Sequence, residues 1–107
     1  MKPVKIFVRH DAELDAFGYF QYIRENNPDA ARRFLEAIDC TVENLAVQPL
    51  KGRLRKFRGP DLKHIRSWRV DGFENYLIFY RFAEMRLEIL RIKHGAMDFP
   101  RALRRDY

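Results

Sequence analysis

The chain has 107 residues, 47% hydrophobic and 14% aromatic, with a net charge of +6, enough apolar material for one compact core and too little chain for two, so global disorder and a two-domain layout are excluded. A lone cysteine, Cys40, excludes an internal disulfide and, without partners at ligand spacing, a metal cluster, so a buried structural thiol is expected. No stretch approaches the roughly 18 apolar residues of a membrane span, and the start, Met1 to Val8, is too short an apolar run for a signal peptide, which points to a reducing cytoplasm.

Val4 to Val8 reads as a first strand, apolar at Val4, Ile6 and Val8, with Phe7 on the opposite face. Asp11 is the expected N-cap of a helix reaching about Glu25. Ala12, Ala16, Tyr19 and Ile23 share one face of it, at the four-three-four spacing of a helical stripe. Leu14 and Phe17 lie well round from that stripe, as ordinary flank residues or as a second contact surface. Asn27-Pro28 supplies a cap followed by proline at the first helical position. The helix it starts runs to about Gln48, with Ala31, Phe34, Leu35, Ile38, Val42 and Leu45 on its core face, and Pro49 stops it. So tight a junction predicts an antiparallel helical hairpin laid on the sheet.

From Leu50 to Leu62 the chain is punctuated by Gly52, Gly59 and Pro60 and carries Lys51, Arg53, Arg55, Lys56 and Arg58. This is either a solvated connection or the edge of a binding surface. Ile65 to Val70 and Phe73 to Arg81 then flank an Asp71-Gly72 turn signal, and Leu87 to Ile92 follows closely. β-Branched and aromatic residues fill all three, so an antiparallel meander is predicted. In Tyr76 to Phe82 both alternating sets are apolar or aromatic, whereas a half-exposed strand alternates apolar with polar. That strand should be central, with its second face covered by the basic loop, the C-terminal segment or a partner. The fold class is α+β, in the order β-α-α-β-β-β, with the helical hairpin on one face of a small, mostly antiparallel sheet.

Charge is segregated along this order. Residues 1–50 hold six Lys/Arg against eight Asp/Glu, a net of −2, and residues 51–107 hold fifteen against seven, a net of +8. A surface needing only solubility would mix its signs, so the sheet half is read as presenting a positive field to an acidic partner, protein or nucleic acid.

The meander, the terminal string Lys93-His94-Gly95-Ala96-Met97-Asp98 and the upstream Asn26-Asn27-Pro28-Asp29-Ala30-Ala31-Arg32-Arg33-Phe34 together resemble the ParE branch, the plasmid-stabilisation toxins, of the RelE/ParE toxin superfamily. The resemblance covers about Val4 to Leu103. It implies the toxin of a type II toxin–antitoxin pair. Its antitoxin would be a ParD-like, ribbon-helix-helix DNA-binding protein, and its target DNA gyrase, trapped while holding cleaved DNA. DNA would then be met only through antitoxin or gyrase. On this reading there is no catalytic residue, cofactor or metal, and the residues supply a surface. The candidates are the loop cations Arg53, Arg55, Lys56 and Arg58, with Trp68, Arg69, Arg91, Lys93, Leu14 and Phe17. Trp68 is either a partner-binding anchor or a sheet-packing residue.

The sister RelE branch cleaves messenger RNA on the ribosome, and here Arg66, Arg81 and His94 could take such places, since histidine and arginine in one cleft suit acid–base chemistry on a phosphodiester. Against that, the tail after His94 lacks that branch's arginine-then-tyrosine arrangement, and the only later tyrosine is Tyr107. Met97 stands where ParE relatives commonly have arginine, which could weaken toxicity or retune the target. A third alternative is a non-toxic scaffold that binds the antitoxin.

Overall fold

A computed structural model describes residues 3–95. Strand β1 (Lys5–Val8) leads directly into α1 (His10–Asn26), which turns into α2 (Pro28–Val47). Then come a short β2 (Arg53–Leu54), a 3-10 turn at Pro60–Leu62, and the strands β3 (Arg66–Val70), β4 (Phe73–Ala83) and β5 (Arg86–His94). The five strands lie in the order β1-β5-β4-β3-β2. The meander is antiparallel as expected and β4 is the middle strand, but β1 returns to pair in parallel with β5, so the sheet is mixed. The two-residue β2 was not legible, since it exists only through its pairing with β3.

The second helix begins where expected and is capped by its own side chain, whereas the first begins earlier than expected and is not. Asn27 Oδ1 accepts from the Ala30 amide at 3.0 Å, and Pro28 opens α2. Asp11 does not cap α1. The cap position is Arg9, whose amide donates to the Ile89 carbonyl and whose own carbonyl accepts from Ala12 and Glu13. Strand pairing with β5 therefore runs straight into the helix. Asp11 and Glu13 sit in the first turn, where carboxylates favour the positive end of the helix dipole.

The main core lies between hairpin and sheet. Phe34, Ile38, Val42 and Leu45 of α2 meet Ile78, Tyr80, Leu87, Ile89 and Ile92, with Ala12 of α1 fully buried among them. Leu35 departs from the expected stripe and stays 37% exposed. Thr41 is buried instead, and its hydroxyl accepts from the Asp71 amide at 3.0 Å, tying the β3–β4 turn to α2. Cys40, expected to be buried, is exposed. It follows Ile38 by two positions, about 200° round the helix and so away from the core.

The second face of β4 is covered by the basic loop. Leu62 and Ile65 close over Phe79 and Leu90, with Phe57 and Leu77 packed at the margin. Burying side chains of this size contributes about 1.5–3 kcal/mol each, enough to seat a polar loop on a sheet.

The turn between β4 and β5 consists of Glu84 and Met85, with φ of 53° and 60°. Both central residues are left-handed, as a two-residue hairpin of type I′ demands, yet neither is glycine, asparagine or aspartate. The Met85 carbonyl accepts from the Lys5 amide at 2.9 Å, which ties this turn to β1.

Candidate functional site

The loop is fixed to the sheet mainly by side chains that sequence reading assigned to other tasks. Tyr80 donates its hydroxyl proton to the Pro49 carbonyl at 2.7 Å and accepts from the Gly52 amide at 2.9 Å. Burial raises its pKa, while the Gly52 bond and the Arg66 charge pull it part of the way back. Arg66 donates to the carbonyls of Leu50 and Gly52 at 3.2 and 2.9 Å. Arg81 donates to the carbonyls of Lys63 and Asp61 at 3.2 and 2.7 Å. Arg55 donates to Ser67 Oγ at 3.3 Å and lies over the rings of Phe57 and Phe79.

Strand register explains why Arg66, Arg81 and His94 do not meet. Side chains alternate between faces. Arg66 pairs with Tyr80, whose ring is in the helix-side core, whereas Arg81 follows Tyr80 and emerges on the loop side with Phe79. His94 pairs with Tyr76, and its ring stands edge-on to that tyrosine at 5.1 Å. Tyr76 and Tyr80 are four residues apart on β4, a separation of about 13 Å.

Arg91 and Lys93 turn to the protein rather than to solvent. Asp15 of α1 accepts from Arg91 Nε and Nη2 at 2.8 and 3.0 Å, from Lys93 Nζ at 3.2 Å, and from the Ile92 amide at 3.0 Å. The side chains of Asp15 and Lys93 are each only 10% exposed. These bonds hold Arg91 protonated above the usual guanidinium range. One turn further along α1, the Tyr19 hydroxyl accepts from the His94 amide at 3.0 Å. β1 pairs with β5 only as far as Ile89, so Asp15 and Tyr19 supply the acceptors that a longer β1 would have provided. No sequence motif announced this, although an aspartate followed four residues later by a tyrosine on the core flank of α1 was its one visible trace.

Trp68 packs partly buried against the helix-side core, with Lys51 Nζ at 4.7 Å and Arg69 Cζ at 4.9 Å from its ring centre. Leu14 and Phe17 are each 55% exposed on the outer side of α1, and Phe17 stacks on Phe20. Arg53, Lys56 and Arg58 are exposed. Met97 lies outside the described residues.

A cleft of about 480 Å³ opens where the helices leave β1 and β5 uncovered. Ile6, Val8, Ala16, Leu35, Ile89 and Ile92 line its apolar interior, and Glu13, Asp39 and Glu43 also stand along it. It adjoins β1, the exposed edge of the sheet. Among the described residues no cluster of side chains is suited to holding a metal ion, and no helix is long and apolar enough to cross a membrane.

The model of the ParE toxin of the type II toxin–antitoxin system parDE matches residues 6–99. The chain belongs to the ParE toxin family. Its sheet and hairpin superpose on solved members of the wider superfamily. The chromosomal ParDE system of P. aeruginosa aligns with a TM-score of 0.69 at 17% identity, over 85% of this chain and 95% of that one. The RelBE2 toxin–antitoxin complex of Mycobacterium tuberculosis gives 0.59 at 20% identity, over 91% and 97%. A YoeB/ParE toxin from Agrobacterium tumefaciens gives 0.52 at 16%, over 84% and 96%. At such identities the likeness is one of fold. No curated protein matches the chain. The ParE-family chain is thus a RelE/ParE-type α+β toxin in which two sheet arginines, Arg66 and Arg81, clamp the loop.

Proposed function

We propose that this ParE-family toxin acts in the cytoplasm by inhibiting DNA gyrase through surface contact, and that a ParD-like antitoxin neutralises it. The observation that carries the gyrase reading is the use made of Arg66 and Arg81. Both donate to loop carbonyls, from opposite faces of the sheet, so they build a rigid platform rather than converge on one phosphodiester. The exposed Arg53, Lys56 and Arg58 belong to that platform and form its target contact.

The antitoxin reading rests on the cleft. An amphipathic segment would seat its apolar side against Ile6, Ala16, Leu35 and Ile92 and could add a strand to β1. Its residues beside Glu13, Asp39 and Glu43 would be basic, while its remainder, steered by the +8 half, would be acidic.

Purified toxin should block gyrase supercoiling and accumulate cleaved DNA, and controlled expression should give filamentous cells. Alanine at Arg53, Lys56 and Arg58 should abolish inhibition in a folded protein. Translation arrest with cleaved messages, lost on His94→Ala, would assign the RelE-type activity instead. A toxin silent in both assays would be an antitoxin-binding scaffold.

A further inference from the structure

We propose that the loop-side face of the sheet docks directly on the phosphodiester backbone of duplex DNA. The register gathers the charge there. Arg53 pairs with Ser67, Ser67 with Phe79 and Arg69 with Leu77, and Phe79 and Leu77 belong to the loop-side core. Arg53 therefore emerges on that face, Arg69 leaves the strand from it but folds its guanidinium over the Trp68 ring, and the covering loop adds the exposed Lys56, Arg58 and Lys63.

These five cations have no carboxylate within ion-pair distance among the described residues. The ion pairs found there lie elsewhere, on α1, α2 and the β1–β5 side, at Arg9–Glu88, Arg32–Asp29, Arg32–Glu36, Arg33–Asp29, Arg91–Asp15 and Lys93–Asp15. The acidic residues nearest in the loop and register are Asp61, whose carbonyl binds Arg81, Asp71 and Glu74 of the β3–β4 hairpin beyond Arg69, the latter accepting from the Gly72 amide, and Glu88, which faces Arg81 across the strand pair and reaches Arg9. The loop is held in shape by Tyr80, Arg66 and Arg81, so the cations are displayed on a braced frame and lose less entropy on binding. Arg53 also presses on Arg55, whose guanidinium is pushed below its ordinary range by burial first and by that neighbouring charge second. An anion between them would relieve the repulsion.

Ring positions select duplex over single strand. Single-strand binders stack bases on free aromatic faces. Here Phe79 is fully buried, Phe57 is half-buried at the margin of that core beneath Arg55, and Trp68 lies under Lys51 and Arg69. What remains is charge without a stacking platform, which suits sequence-independent phosphate contact.

The inference does not rest on gyrase as target. Anisotropy of a short labelled duplex of arbitrary sequence, titrated with purified toxin alone at several salt concentrations, tests it with two charge-matched variants. Arg53→Gln/Arg58→Gln should flatten the dependence of log affinity on log salt by about 2, one for each lost phosphate contact. Arg32→Gln/Arg33→Gln on α2 removes the same charge and should leave the slope unchanged, and circular dichroism confirms that both fold. No duplex binding, equal effects of the two variants, or tighter binding of a single-stranded oligonucleotide or of polyglutamate would overturn the proposal. Duplex binding with gyrase left active would remove the target proposed above and leave this inference standing, and gyrase inhibition without duplex binding would do the reverse.

Discussion

Replacing Asp15 with alanine should be among the most damaging single changes available in this chain. The carboxylate accepts four hydrogen bonds at 2.8–3.2 Å from Arg91, Lys93 and the Ile92 amide. Removing one partner of a buried ion pair typically costs about 3–5 kcal/mol, because the charges left behind are desolvated and uncompensated. The Arg91 side chain is 22% exposed and recovers some hydration, so about 2–4 kcal/mol is the expected loss, with the unsatisfied Ile92 amide included. For a chain of this length that lowers the thermal midpoint by about 9–18 °C and the urea midpoint by about 2 M. Asp15→Asn should do nearly as badly, since its amide group turns donors toward donors. The combination Asp15→Leu, Arg91→Met and Lys93→Met should recover most of the loss, as apolar replacements of buried ion pairs commonly do. Arg53→Ala, an exposed change, should stay within about 0.5 kcal/mol. A loss below about 1 kcal/mol for Asp15→Ala in urea denaturation would refute the reasoning, and would leave Arg91 and Lys93 available to a partner.

Tyr80→Phe should cost about 1–2 kcal/mol by leaving the Gly52 amide unpaired. Because burial raises the folded pKa of Tyr80 above its ordinary value, its contribution is complete below the unfolded-state pKa and is lost as pH rises through the folded one. Wild type and variant should therefore converge as the pH rises above the ordinary tyrosine range in denaturation titrations. Exchanging Glu84-Met85 for Asn-Gly should stabilise the protein by about 1–2 kcal/mol, since both positions require positive φ; a thermal midpoint that does not rise would count against strain in that turn. Ile65→Ala should cost about 2–5 kcal/mol and make the segment from residue 53 to 63 susceptible to limited proteolysis, whereas a resistant loop would show that Ile65 does not seat it. Leu35→Glu, at a half-exposed wall of the cleft, should weaken antitoxin binding about tenfold or more by calorimetry while shifting stability by less than about 1 kcal/mol, and full retained affinity would place the antitoxin elsewhere.

Local chemistry alone determined the hairpin and the meander. Asn27-Pro28 caps and starts α2, the four-three spacing from Ala31 to Leu45 orients it, Asp71-Gly72 turns β3 into β4, and the doubly apolar Tyr76–Phe82 identifies a central strand. Each of these signals acts within a few residues, which is why a linear reading recovers it, and the meander taken with the Lys93–Asp98 and Asn26–Phe34 strings carried the resemblance to the toxin family. The roles of the charged residues were a different matter. Arg66, Arg81, Arg91 and Lys93 look alike along the chain, as cations on strands beside a basic loop. Only strand register sends Arg66 and Arg81 to opposite faces, and only the crossing of α1 over the open edge of β5 brings Asp15 to Arg91 and Lys93, 76 and 78 residues away. The loop over Phe79, the parallel return of β1, the exposure of Cys40 and the cleft beside β1 also depend on contacts between distant segments. Local propensity is blind to these contacts, because hydrogen bonds and charges are assigned partners by the packing of elements and not by spacing along the chain.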